Sequence, residues 1–144
     1  MADEMVIDTS SILAMVKEDE DAQRELNACE GKMLFAPESV RWEIVNALRQ
    51  GVYKRFITPD IAQNAFEAAL ALPIQYIEVD QRAALSMALS FPRLLAYDAF
   101  VLQCARELGA SLLTSEKDQA GRMPAYARQL GILLAGENNH VKAR

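Results

Sequence analysis

The chain has 144 residues, of which 51% are hydrophobic and 24% charged, the balance of an ordinary globular protein. This composition excludes a disordered tail, a collagen and a mucin-like stalk. The net charge of −5 is opposite to that of proteins that bind nucleic acid by bulk electrostatics. Either nucleic acid is not the substrate, or acidic residues are concentrated in a site that a divalent cation neutralises.

The residue types exclude several kinds of site. Cys29 and Cys104 are far apart and form no C-x-x-C pair, so a thiolate zinc site and a thioredoxin-type redox pair are excluded. We expect both to be small buried hydrophobes. The single histidine, His140, lies in a polar terminal stretch and cannot supply a catalytic triad or a His-rich metal site. No glycine-rich phosphate loop is present. The chemistry that remains is that of carboxylates.

No apolar run approaches the roughly 18 residues that a membrane span needs. The start of the chain, Met1–Glu4, lacks the basic character of a signal peptide. We therefore expect a cytoplasmic protein with no membrane association.

In the first part of the chain, short apolar runs alternate with helical patterns. Their order predicts a strand at 5–7 that ends at Asp8, a helix from about Ser10 to residue 16, a second helix starting in the charged stretch 18–24 and stopping at Gly31, a strand at 33–36, and a helix over 38–50 that stops at Gly51.

The remaining elements continue this alternation. They comprise a helix that starts at residues 58–60 and ends near 72, a strand at 76–79, a helix over 80–91, a deeply buried helix over 96–108, a strand at 111–114, a last helix before Gly131, and a final strand at 132–135. Short apolar strands between helices indicate a parallel sheet covered on both faces. The predicted fold is one α/β domain over residues 1–144, a three-layer α/β/α sandwich with a central parallel sheet.

Two aspartates occupy positions where burial is expected. Asp8 ends the first strand, and ligands of open parallel sheets bind outside the carboxyl ends of strands. Asp98 lies in the most apolar stretch, where an ionised carboxylate costs several kcal/mol unless it is paired or bound to a cation. The alternative for both residues is helix capping or a place in a first helical turn.

Three further acids could join them. Glu43 borders the buried face of its helix, although it could instead be a surface residue paired with Arg41 or Arg49. Glu116 and Asp118 follow the strand that ends at Thr114, where they could also form a charged helix start. Clustered carboxylates repel unless they are protonated or a cation neutralises them, and Mg²⁺ or Mn²⁺ prefers oxygen ligands. Such a site suits attack of a metal-activated water on a phosphodiester.

The motifs resemble the PIN-domain family, and within it the VapC-like toxin ribonucleases of toxin–antitoxin pairs. The resemblance is collinear over about residues 5–135. It is carried by the segments Val6–Ala14, Pro37–Leu48, Tyr97–Ala99, Leu112–Asp118 and Leu130–Ile132.

This resemblance implies a Mg²⁺- or Mn²⁺-dependent endoribonuclease that forms a homodimer and binds a small antitoxin protein. Asp8 and Asp98 match the two aspartates expected to hold the metal, and Glu43 matches a third acid. Glu116 stands where the family usually has aspartate, and Asp118 matches a second acid of some members. Two hydroxyl residues, Ser10 and Thr114, match positions that brace the site.

Other interpretations stay open. The densest basic patch, formed by Arg49, Lys54 and Arg55, could hold the RNA backbone or could simply be solvated. The chain could be a catalytically silent PIN-like module that only binds a partner. It could also be a haloacid-dehalogenase-like phosphatase with Asp8 as nucleophile, although Ser10 occupies the place of that family's second aspartate.

Overall fold

The structure is a computed structural model that describes residues 3–116 and 123–136. Asp118 and His140, both considered above, lie outside the described residues. None of the helices in these two ranges combines the length and apolar character needed to cross a membrane.

Four short strands in the described ranges form one parallel sheet. They are β1 (Glu4–Ile7), β2 (Met33–Pro37), β3 (Ile74–Ile77) and β4 (Ser111–Leu113), in the spatial order β3-β2-β1-β4. Val6 in β1 pairs with Phe35 of β2 on one side and with Leu112 of β4 on the other. All three are buried, as expected for strands covered on both faces.

The helices are α1 (Thr9–Val16), α2 (Ala22–Cys29), α3 (Ser39–Tyr53), α4 (Pro59–Ala71), α5 (Gln81–Ser90), α6 (Ala96–Leu108) and α7 (Met123–Gln129). Local signals set several of their ends. The Thr58 side chain accepts from the Ile61 N–H at 3.2 Å, and Asp80 accepts from the Ala83 N–H at 3.1 Å. Gly109, with φ of 62°, ends α6 in the left-handed conformation that glycine adopts easily.

The strand order reverses once. The chain moves from β1 to β2 to β3 in one direction and then returns to place β4 on the far side of β1. Because crossovers between parallel strands are right-handed, helices α1–α4 lie on one face and α5 and α6 on the other. This confirms the predicted α/β class with helices flanking a parallel sheet. The reversal point lies between β1 and β4, where ligands of such sheets bind.

Helix α6 is largely buried. It packs against β1, β2, β4 and α5, and its residues Val101, Leu102 and Cys104 are fully buried. Burial raises the pKa of the Cys104 thiol to about 12, so this cysteine remains protonated, as a core residue does. Cys29 is only half-buried, but burial and the charge of Glu25 raise its pKa to about 11.

The prediction that α3 stops at Gly51 is wrong. The helix continues to Tyr53, and Gly51 lies within it. A Cβ atom at this position would stand 3.1 Å from two side-chain carbons of Ile57. The glycine therefore allows the following segment to approach the helix closely, and it does not serve as a terminator.

One other predicted element is also wrong. The segment 132–135 forms no regular strand, because it meets the sheet through a single parallel bridge between Leu112 and Leu134. Helix α2 begins at Ala22, within the charged stretch 18–24 as predicted. It does not begin at Glu18, whose φ of 53° is incompatible with a continuing right-handed helix.

Candidate active site at the carboxyl edge of the sheet

Asp8 is the first residue after β1 and is only 4% exposed. Its Oδ1 atom accepts the Thr9 N–H at 2.7 Å, which caps the start of α1. Capping occupies one carboxylate oxygen and leaves the second at the edge of the sheet. The two interpretations of Asp8 from sequence are therefore compatible.

Two hydroxyl groups hold the second oxygen of Asp8. Ser10 Oγ donates to Asp8 Oδ2 at 2.9 Å, and Thr114 Oγ1 donates to the same atom at 2.8 Å. The hydroxyls in turn accept the backbone N–H groups of Ser115 and Glu116, at 3.0 and 3.1 Å. Since each hydroxyl has one proton, both protons are directed at the carboxylate. The structure thus places Ser10 and Thr114 in contact with Asp8, where they orient it.

Glu43 lies beside Asp8, in the second turn of α3. Thr9 joins the two acids, because its N–H donates to Asp8 and its Oγ1 donates to Glu43 Oε1 at 3.1 Å. Burial and, secondarily, the charge of Asp8 raise the pKa of Glu43 to about 7. Burial also raises the pKa of Asp8, against the opposing effect of its hydrogen bonds. The ionised forms of both carboxylates are therefore disfavoured, because the two groups are poorly hydrated and their charges repel.

No basic side chain in residues 3–116 and 123–136 forms an ion pair with Asp8 or Glu43. The two candidate partners of Glu43 are engaged elsewhere: the Arg41 guanidinium lies 4.4 Å from the ring centre of Tyr76, and that of Arg49 lies 4.4 Å from Tyr53. Hard oxygen donors that repel one another suit a hard divalent cation. The described part of the chain does not, however, assemble three or more potential ligands into one group.

Asp98 is half-buried in the first turn of α6. Only Gly109 and Ala110 separate the end of α6 from β4, so the helix runs back along the sheet and begins at the carboxyl edge. Its neighbours in the first turns, Tyr97 and Phe100, line a cavity of about 350 Å³ together with Pro37 and Ile77, the last residues of β2 and β3.

Glu116 follows β4 and is half-buried at this same edge. The described site residues thus all occupy one edge of the sheet, with Asp8 and Glu43 in closest association. Asp118 lies in the segment that the structure does not describe.

The basic patch occupies the other end of α3. Lys54 is eleven residues beyond Glu43, about 16 Å along the helix axis at 1.5 Å per residue. Arg49, Lys54 and Arg55 are all exposed. The structure therefore does not bring this patch into contact with the acids.

Sequence reasoning missed three polar residues of this region, namely Thr9, Glu25 and Ser115. Glu25 in α2 is 1% exposed and accepts a hydrogen bond from Ser115 Oγ. A signal was present, because Ala22, Ala28 and Cys29 lie three or four positions from Glu25 and mark a small apolar helix face. The hydroxyl partners had no comparable local signal.

Solved structures of several proteins share this fold, among them three that cover most of this chain. The VapBC2 structure from Rickettsia felis, bound to a promoter DNA fragment, has a TM-score of 0.63 and 11% identity, with 91% of this chain and 96% of that chain covered. VapC20 from Mycobacterium tuberculosis, a toxin that cleaves the sarcin–ricin loop, has a TM-score of 0.61 and 15% identity, with 85% of this chain and 94% of that chain covered. A toxin–antitoxin complex from Klebsiella pneumoniae has a TM-score of 0.56 and 18% identity, with 82% of this chain and 92% of that chain covered.

A search of curated proteins found no match. The family model described as PIN domain matches residues 5–123, which is most of the chain. The matched range begins in β1 and includes Asp8, Glu43, Asp98 and Glu116. Together with the shared fold, it confirms the resemblance found in the motifs: the chain belongs to the PIN domain family.

Proposed function

We propose that this protein is a divalent metal-dependent endoribonuclease and the toxin of a toxin–antitoxin pair. Membership of the PIN domain family supports a nuclease, and the solved structures of VapC20 and of a toxin–antitoxin complex support the toxin role. Membership of the PIN domain family favours this function over a dehalogenase-like phosphatase, which would need a second aspartate where Ser10 stands.

The observation that carries the proposal is the environment of Asp8. This carboxylate is 4% exposed, receives two hydroxyl protons and a backbone N–H, and faces Glu43 with no ion-paired cation among the described residues. A buried pair of carboxylates is costly unless a cation joins it or one member binds a proton. Binding of Mg²⁺ or Mn²⁺ would offset that cost.

Each acid has a role in this proposal. Asp8 and Asp98 hold the metal, Glu43 completes the cluster, and Glu116 or Asp118 closes its rim. Bound at this edge, the metal would supply a water of lowered pKa and would stabilise the charge that develops on the phosphodiester. Ser10 and Thr114 keep the Asp8 carboxylate in a single orientation, so that less entropy is lost on binding.

The basic residues Lys54 and Arg55 are proposed to contact the RNA backbone at a distance from the cleaved bond, whereas the Arg49 guanidinium lies over the ring of Tyr53. Lys54 is about 16 Å from Glu43 along α3, which suits contact with neighbouring phosphates of an extended strand. Replacing Lys54 with Met is expected to weaken RNA binding and its salt dependence while leaving the rate at saturating RNA unchanged.

The activity is tested with purified protein, a labelled random-sequence RNA pool and total RNA, in Mg²⁺, in Mn²⁺ and in EDTA. Cleavage is expected with either metal, with loss in EDTA and recovery on adding metal back. Undiminished cleavage in excess EDTA, or cleavage retained by Asp8→Asn, contradicts the proposal. A protein that binds Mn²⁺ but cuts neither RNA sample supports the silent partner-binding module instead.

We also propose that the toxin is a homodimer that associates through the outer face of α3. Trp42, Val45 and Tyr53 are 64%, 53% and 70% exposed at spacings that place them along this face. Exposed apolar stripes on a helix mark protein interfaces. Sedimentation at micromolar concentrations should give the mass of two chains, and Trp42→Glu should give one. Leu70→Glu, equally exposed on α4, serves as the control; a monomeric wild type contradicts this proposal.

The antitoxin is proposed from the solved complexes alone. We expect a small reading frame beside the gene. Its co-expressed product should form a stable complex with this protein and suppress RNA cleavage. A purified complex that cleaves RNA as fast as the free protein would contradict its role as an antitoxin.

A further inference from the structure

Glu25 is a buried carboxylate outside the pair formed by Asp8 and Glu43. It lies in α2 and is the one residue of that helix that is fully buried, at 1% exposure. Its partners are the hydroxyl of Ser115, which donates to Oε1, and the Arg24 guanidinium, whose Nη2 is 3.6 Å from the same atom. Since burying a carboxylate is costly, its presence here calls for a role that an apolar residue could not fill.

The contact of Glu25 leads directly to the candidate active site. Ser115 donates its side chain to Glu25 and its backbone N–H to Ser10 Oγ, at 3.0 Å. Ser10 Oγ donates to Asp8 Oδ2 at 2.9 Å. Three consecutive hydrogen bonds therefore connect Glu25 on α2 to the central carboxylate at the end of β1.

The residues on either side of Ser115 contribute to the site as well. Thr114 donates to Asp8 at 2.8 Å, and the backbone N–H of Glu116 donates to Thr114 at 3.1 Å. The segment 114–116 follows β4, so the sheet ladder no longer holds it. One side-chain anchor of this segment away from the Asp8 side is the hydrogen bond to Glu25, and Ser11 Oγ is a weaker neighbour at 3.4 Å from Ser115 Oγ.

We propose that Glu25 is a positioning residue for the acidic site, which it serves by anchoring the segment 114–116. The inference rests on the proposed metal-dependent function. Glu25 binds neither metal nor RNA. It holds Ser115, and through Ser115 it keeps the hydroxyl donors of Ser10 and Thr114 directed at Asp8 and keeps Glu116 at the rim.

The test measures Mn²⁺ affinity by titration followed with electron paramagnetic resonance. Glu25→Ala removes the anchor and should lower the affinity about three- to tenfold, somewhat less than typical losses for residues that directly contact a metal ligand. Glu25→Gln keeps an oxygen that accepts from Ser115 and should retain most of the affinity. Glu67→Ala, an exposed glutamate within α4, is the matched control and should bind as wild type does.

Ser115→Ala provides a second route to the same contact. It should lower the affinity to a similar extent, and the double variant with Glu25→Ala should lose no more than either single variant, because both remove one interaction. Independent losses that multiply in the double variant would contradict the proposed anchor. This second variant also keeps the test decisive if Glu25→Ala does not fold.

Amide hydrogen exchange of the metal-free protein separates positioning from general destabilisation. In Glu25→Ala the amides of Ser115 and Glu116 should exchange faster, while those of the central strand residues Val6 and Ile7 keep their protection. Uniformly faster exchange with unchanged Mn²⁺ affinity overturns the inference and leaves the proposed function intact. A wild-type protein that binds no Mn²⁺ overturns the proposed function, and this inference with it.

Discussion

The two edges of the sheet differ in how charge is balanced. At the amino edge, a cavity of about 830 Å³ is lined by acids and bases together, and Lys32 pairs with Asp3 at 3.2 Å. At the carboxyl edge the cavity beside α6 is smaller, about 350 Å³, and neither Asp8 nor Glu43 lines it. These two acids lie together at the same edge without an ion pair in the described residues. Acids and bases are thus mixed at the amino edge, whereas Asp8 and Glu43 at the carboxyl edge have no basic partner among the described residues. Unbalanced charge therefore locates the candidate site better than cavity volume does.

The largest expected effect is a loss of RNA cleavage when an acid at the carboxyl edge is replaced, with no such loss for an acid at the amino edge. Asp8→Asn and Asp98→Asn should each slow RNA cleavage about 100-fold or more at saturating Mn²⁺, because several kcal/mol of charge stabilisation is lost. Asp3→Asn, at the amino edge, should stay within about twofold of wild type by the same assay. A comparable loss in Asp3→Asn would erase the distinction between the two edges.

Metal binding should stabilise only a protein with the carboxyl-edge acids intact. At about 100 times the dissociation constant, Mn²⁺ should add about 2.7 kcal/mol to the free energy of unfolding of wild type and Asp3→Asn. Asp8→Asn should gain much less. Thermal melts with EDTA and with Mn²⁺ measure the difference, and equal gains in all three proteins would place the metal elsewhere.

The repulsion at the carboxyl edge also predicts a pH dependence of the metal-free protein. The pKa of Glu43 is about 7 when folded, above its ordinary value of 4.5, so the folded state binds this proton more tightly. The free energy of unfolding should therefore fall as pH rises from about 5 to 8, by about 1–2 kcal/mol after allowance for partial exposure.

Glu43→Gln tests this assignment, because it removes the charge and keeps an acceptor for Thr9. Denaturant melts at pH 5 and pH 8 should show that this variant matches wild type at the lower pH and exceeds it at the higher. Glu67→Gln controls for the loss of one charge on the surface. A Glu43→Gln protein less stable than wild type at pH 8 would show that the carboxylate is already neutralised by a partner.

The smallest effect is expected at the amino edge. Lys32→Met breaks the ion pair with Asp3, whose side chain is 80% exposed, and exposed pairs contribute less than about 1 kcal/mol. The variant should melt within a few degrees of wild type and should cleave RNA at the same rate. A pronounced loss of cleavage would mean that the amino-edge cavity takes part in function.

Much of the fold was readable from local patterns. The bounds predicted for α6 agree with the structure, since an apolar helix followed by Gly109 leaves few other solutions. The strand before Asp8 and the helix start at Thr58 were equally local. Gly51 was misjudged because its role depends on Ile57, whose approach to the helix is a matter of packing and not of helix propensity.

The candidate site was predicted in part. Strand ends and buried positions singled out Asp8, Glu43 and Asp98 as acids worth attention, and the structure places them at one edge of the sheet. The metal itself stays a prediction. Glu25 escaped notice because the charged residues before it suggest a solvated helix, although an apolar face was present, and its partner Ser115 lies 90 residues away.

The sequence by itself determined the family and most of the succession of strands and helices along the chain, because periodicity, caps and collinear motifs are properties of neighbouring residues. Only the tertiary structure decided what surrounds each acid. The proton that Thr114 donates to Asp8 comes from 106 residues along the chain, and Thr9 reaches Glu43 across 34. Such contacts exist only after the loops between them have closed and the sheet has formed, so no local pattern specifies them.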